Sequence, residues 1–221
     1  MAKMMNNSMS SDAQITTANR HKRLCQQYGA EELSTAITSP IMVLEARQKA
    51  SLEKRNARFT SYDFRMMLDG QLDDAIRNIS AATKQFDRDN AGRPLYPVLF
   101  PEGGFTAITN ASFHDELDKA QQLLQRLKSM GEGHVLLAHI ETTTARIAAC
   151  RTAEADFYQA VTEEKTALAE ELLAKTELCK QYEFNYLDAI KLFGKTHANR
   201  LFPKSVSSKK IVEQMIVTEN D

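Results

Sequence analysis

His21 and Cys25 stand four residues apart. On a helix that spacing puts an imidazole and a thiol on one face, where two metal ligands can meet. A tetrahedral site needs further donors, and no second pair follows at matching spacing. His134 and His139 are five apart and diverge on a helix. No Glu-x-x-His occurs, so the signature of a di-iron carboxylate bundle is missing. The expectation is no metal site, with solvated histidines and a core thiol.

Other chemistry is thinner still. Gly194-Lys195-Thr196 has the ending of a phosphate-binding loop, but that loop needs an earlier glycine where Ala189 stands, and a preceding strand. Glu102-Gly103-Gly104-Phe105 reads as a turn. Cys179, Tyr182 and Tyr186 fall on one helical stripe, which is the spacing of core packing rather than of redox chemistry. Asp73-Asp74 and Glu163-Glu164 are adjacent and point about 100° apart on a helix, so neither is an acid/base pair. Only five histidines are present to activate a nucleophile. The residues therefore predict no catalytic group, no cofactor and no metal.

The 221 residues are 43% hydrophobic and 26% charged, which fits a folded chain. Lys and Arg number 28 against 29 Asp and Glu. That balance lacks the basic excess by which phosphates are neutralised, and argues against a nucleic-acid partner. Cys25, Cys150 and Cys179 are odd in number and widely spaced, so they read as free thiols in a reducing compartment. The N-terminus shows no apolar signal core, and no apolar run nears the roughly 18 residues of a membrane span. The expected location is cytoplasmic.

Eight glycines and five prolines leave room for long helices. Periodicity predicts a helix over 12–38, weakened at Gly29. Ser39-Pro40 reads as the start of a second, long helix to about Asp89, since Pro suits a first helical position. Its stripe includes Leu44, Leu52, Phe59, Tyr62, Met66, Leu72 and Ile76, and Gly70 is its one plausible break. Ser112 and Asp115 are spaced like a capping box before a helix ending near Met130, with Gly131 as its C-cap. A last long helix is predicted from His134 to about Gly194, or on to Arg200. Its stripe includes Phe157, Val161, Leu168 and Leu172, which like Phe59, Tyr62 and Met66 should be buried within one chain or between chains.

Residues 90–111 break the pattern with Pro and Gly yet stay apolar through Leu95, Tyr96, Val98, Leu99, Phe100 and Phe105. Such a loop either plugs the end of a bundle core or presents an apolar tip. Two terminators also echo each other. FDRDNAGRPLYP (86–97) aligns with FGKTHANRLFP (193–203), setting Arg93 against Arg200, Leu95 against Leu201 and Tyr96 against Phe202.

These patterns predict an all-α fold: an elongated antiparallel helical bundle of two helix pairs, with an apolar Pro/Gly loop between them and a possible internal duplication. Residues 1–11 form a disordered terminus, 12–203 a single domain with candidate repeats 12–97 and 110–203, and 204–221 a polar tail. Two long helices outrun their short companions, leaving apolar surface to cover. The function expected is a non-catalytic scaffold or interaction protein whose partner is itself or another helical protein. Leu95, Tyr96, Val98, Leu99, Phe100, Phe105, Leu172, Tyr182 and Tyr186 are the candidate interaction residues. The alternative is a membrane-active, pore-forming-like protein with loop 94–108 as its tip.

Overall fold

The computed structural model describes residues 4–92 and 94–202. Arg93, Pro203 and the polar tail 204–221 lie outside the described residues. Every regular element among those described is helical, as the periodicity requires. They are α1 (Ser11–Gln27), α2 (Glu31–Asp89), the short α3 (Tyr96–Leu99) and α4 (Thr106–Thr109), α5 (Phe113–Lys128), a 3-10 turn (Val135–His139) and α6 (Ile140–Leu201). The described chain divides into two compact units. Of the described residues, unit 1 comprises those up to 54 and from 164 onward, and unit 2 those between 55 and 163. Because α2 and α6 each contribute to both units, the units cut across the candidate repeats 12–97 and 110–203.

The first chain reversal falls earlier than the sequence pattern places it. Gly29 has φ 71°, and the amides of Gly29 and Ala30 reach back to the carbonyls of Gln26 and Cys25 at 3.2 and 2.8 Å. That is a Schellman closure, in which the left-handed residue is a glycine because a Cβ there is strained. The long helix therefore starts at Glu31, and Pro40 lies inside it. An interior proline costs ~3 kcal/mol. Ile37, Ile41 and Leu44 flank it and are 0%, 3% and 0% exposed. Each such burial contributes about 1.5–3 kcal/mol, so packing outweighs the lost backbone bond. Gly70 does not interrupt α2.

In unit 1, α2 and α6 run antiparallel: Leu33 meets Asn185, Arg47 meets Glu170, and Ser51 meets Glu171. Helix α1 lies with them, and its Ala18 and Cys25 join Leu33, Ile37, Leu178, Tyr182 and Ala189 in one core. The last element of this unit is made by Gly194. Its φ 77° and ψ 161° break α6, and residues 195–201 resume as helix in a new direction. Tyr186 then donates to Asn199 at 3.1 Å, and the Phe202 ring meets those of Tyr182 and Tyr186 at 4.9 and 5.1 Å. In a straight helix those partners would stand about 20 Å apart or more. The segment has folded back.

In unit 2 the same antiparallel sense holds, with Tyr62 against Phe157, Gln71 against Arg146, and Phe86 against His134. Ser112 caps α5 as its spacing predicts: its hydroxyl accepts the Asp115 amide at 3.4 Å and donates to the Asp115 carboxylate at 2.6 Å. The stripe Leu117, Ala120, Leu123, Leu124 and Leu127 of α5 packs on Leu72, Ile76 and Ile79 of α2 and Ile147 of α6.

The two echoed segments differ in backbone. The first unwinds at Asn90 and begins α3 at Tyr96, whereas the second breaks at Gly194, resumes as helix to Leu201 and stops before Phe202. Leu95 and Leu201 thus stand on different structures.

Candidate functional site

Three places gather the polar and apolar side chains that remain to be explained. The first is a buried polar knot in unit 1. His21 is fully buried, not solvated as the sequence suggests. Its Nδ1 lies 2.9 Å from the Leu201 carbonyl and therefore donates. Its Nε2 lies 3.0 Å from Asn185 Nδ2, which also donates to the Leu33 carbonyl at 2.8 Å. Gln181 supplies the Asn185 oxygen at 2.9 Å. One imidazole thus ties α1 to the returned segment, and one amide ties α6 to α2 and α1. Sequence reading missed this because the Leu201 carbonyl arrives only through the Gly194 reversal. Burial pushes the His21 pKa down to about 4, and the bond to Leu201 only partly opposes it. Burial, with Glu31 adding to it, pushes the Cys25 thiol up to about 12. At neutral pH the pair is thus a neutral ring beside a protonated thiol.

Nearby, Glu171 of α6 accepts the hydroxyls of Ser11 on α1, at 2.5 Å, and of Ser51 on α2. One turn on, Lys175 donates to the Asn7 carbonyl at 3.0 Å. Cys179 accepts from Gln14 at 3.3 Å. Tyr182 is fully buried and its hydroxyl has no partner, so this candidate interaction residue is a core residue; Tyr186 is partly buried beside it.

The second place is a carboxyl cluster in unit 2. Glu116 of α5 is only 3% exposed and faces Asp69 and Asp73 of α2. Its Oε1 and the Oδ1 of Asp73 are buried without a donor. Burial first, then the two aspartates, push the Glu116 carboxyl up to about 9. Asp73 keeps its other oxygen on Arg77 at 3.0 Å. Close by, the Arg65 guanidinium lies against three rings, 4.7 Å from Phe113, 4.8 Å from Phe157 and 5.7 Å from Tyr62. No pattern marked Glu116, because its partners sit on another helix.

The third place is apolar. The loop 94–108 is a plug of unit 2: Leu99, Phe100 and Ile108 are buried, Leu95, Tyr96 and Phe105 are partly buried, and Val98 alone of the candidate loop residues faces solvent. Asp87 accepts the amides of Leu95 and Tyr96 at 2.7 and 2.9 Å. From α5, Lys119 binds Glu102 and the Ala107 carbonyl at 2.8 and 2.9 Å, and Arg126 binds the Leu99 carbonyl at 3.2 Å. By contrast, part of the stripe expected to be buried within one chain or between chains stands open in the single chain. Phe59, Tyr62 and Met66 are 48%, 40% and 44% exposed, and Leu168 and Leu172 are 40% and 53%. In unit 1, α1 reaches α2 no further than Ser51, through Glu171; in unit 2, α5 begins at Phe113 against Arg65. Phe59, Tyr62 and Leu168 fall beyond these covers. Leu173, Phe184 and Leu187 of α6 also face solvent, opposite its buried Ala174, Leu178 and Ala189.

Among the described residues no group of three or more His, Cys, Asp and Glu is disposed to hold a metal ion, and no helix is long and apolar enough to cross a membrane. Comparison with protein families, with curated proteins and with solved structures finds no match.

Proposed function

We propose that this chain is a non-catalytic helical scaffold that binds another copy of itself through the open apolar residues of α6. What carries the reading is the exposure of Leu172, Leu173, Phe184 and Leu187 on α6, of which Leu173 is 68% exposed and Phe184 57%. Large apolar side chains so placed mark an interaction surface. A second copy related by a two-fold axis covers them with the same residues. The polar groups of the interior support the same reading, since His21, Asn185 and Glu171 spend their hydrogen bonds joining helices. The antiparallel pairing inside each unit agrees with a bundle of helix pairs. An internal duplication draws no support from the two terminators, which differ in backbone.

Light scattering of the purified chain tests the proposal. A mass above 24.9 kDa that falls on substituting Leu173→Glu and Phe184→Glu is expected. The membrane-active alternative needs loop 94–108 to leave the interior of unit 2, where Leu99, Phe100 and Ile108 are now buried. Liposome binding that depends on Phe100 and Phe105 would favour it.

A further inference from the structure

We propose that mild acidification acts on the two units in opposite senses, loosening unit 1 through His21 and tightening unit 2 through Glu116.

The geometry around His21 favours the neutral ring. Nδ1 donates to Leu201, so Nε2 must accept from Asn185. Both hydrogens of the Asn185 amide are committed, to His21 and to Leu33, and its oxygen is engaged by Gln181. A second ring proton therefore meets an N–H at 3.0 Å, with only the weakly accepting Cys25 Sγ, 3.5 Å away, to receive it. Turning the amide over removes the donor from Leu33 and sets its nitrogen against Gln181. The ring is packed against Phe202 of the returned segment at 4.1 Å and Tyr182 of α6 at 5.2 Å, with Cys25 one turn on. Glu31 of α2 acts on Cys25, and Arg20 of α1 acts on Tyr182.

The geometry around Glu116 demands the reverse. Its Oε1 has neither an N–H nor a hydroxyl to accept, and it faces Asp69 and Asp73. A proton shared among these carboxyls is the one group that turns their contact into a hydrogen bond. Around them stand Cys150 of α6, with Arg146 acting on it, and Arg77 on the far side of Asp73. Helix α5, which this proton ties to α2, is also the helix whose Lys119 and Arg126 hold the apolar loop.

The signs follow from linkage. The folded chain resists protonating His21, so unit 1 loses stability as the pH falls from 6.5 towards about 4. It resists ionising Glu116, so unit 2 gains stability as the pH falls from about 9 towards 4.5. Between pH 4.5 and 6.5 both effects operate, in opposite directions.

Hydrogen exchange of the full chain, read by mass spectrometry across that interval and corrected for intrinsic exchange, tests this. As the pH falls, peptides from Phe113–Lys128 are expected to gain protection and peptides from Ser11–Gln27 to lose it, each by about tenfold per pH unit. Glu116→Gln keeps a neutral donor and flattens only the first slope. Asn185→Asp offers His21 an acceptor and reverses only the second. Should Glu116→Gln fail to fold, Asp69→Asn removes one facing carboxylate, and the α5 slope then levels off at a lower pH. Slopes of the same sign in both units overturn the proposal. So do opposite slopes that persist unchanged in these variants.

Discussion

His21 Nε2 lies 3.0 Å from the side-chain nitrogen of Asn185, in the interior of unit 1. Two elements far apart in sequence are joined there by an acceptor that exists only while the ring is neutral. Each pH unit is worth about 1.4 kcal/mol. The fall of the His21 pKa from 6.5 to about 4 thus corresponds to about 3 kcal/mol. That stability is present above pH 6.5 and lost as the pH falls through the interval. Urea unfolding followed at pH 7 and pH 4.5 should show the loss in the transition of unit 1. An unchanged midpoint would contradict the protonation state assigned here.

Asn185→Leu leaves the Leu33 carbonyl and His21 Nε2 without their donor. Each buried group so orphaned costs about 1–3 kcal/mol. A loss of about 2–4 kcal/mol is expected by chemical denaturation, with unit 2 peptides keeping their exchange protection. A variant as stable as the parent would mean the knot is not the fastening of unit 1.

Gly194→Ala tests the reversal. Its φ 77° and ψ 161° lie in a region that only glycine occupies without strain. The substitution should cost about 1–3 kcal/mol. Phe202→Ala should cost about 3–5 kcal/mol by emptying the contact with His21, Tyr182 and Tyr186. In both, proteolysis should trim the chain back towards Gly194 sooner than in the parent. Equal trimming rates would show that the returned segment is not held by these contacts.

Those two residues mark the limit of what the sequence discloses. The stripe of α5 and its Ser112 cap are legible because their cues are local: a period near 3.6 and a hydroxyl at the right offset. Helix α2 was placed nine residues late because Ser39-Pro40 is a strong local start signal, yet Ile37 and Ile41 on either side bury the helix regardless. Tyr182 and Leu172 fall on one apolar stripe and both stood among the candidate interaction residues, yet Tyr182 is core and Leu172 is open in the single chain. The stripe tells which face is apolar and not what covers it. The buried roles of His21, Asn185, Glu116 and Glu171 carried no signal, because each depends on a partner on another element.

The loop plug makes a separate prediction. Asp87→Ala removes the acceptor of two amides, and Lys119→Met removes the ties to Glu102 and Ala107. Each should raise protease cleavage between residues 94 and 108 and increase binding of an apolar dye. Cleavage at the parental rate in both variants would mean that burial of Leu99, Phe100 and Ile108 holds the loop alone.

Self-association is the central claim, and the mass of the chain in solution tests it most directly. Multi-angle light scattering across a hundredfold range of concentration should give a multiple of 24.9 kDa. Leu172→Glu together with Leu173→Glu should return the single-chain mass while leaving the helical signal intact. A mass of 24.9 kDa at every concentration in the parent would contradict the scaffold reading.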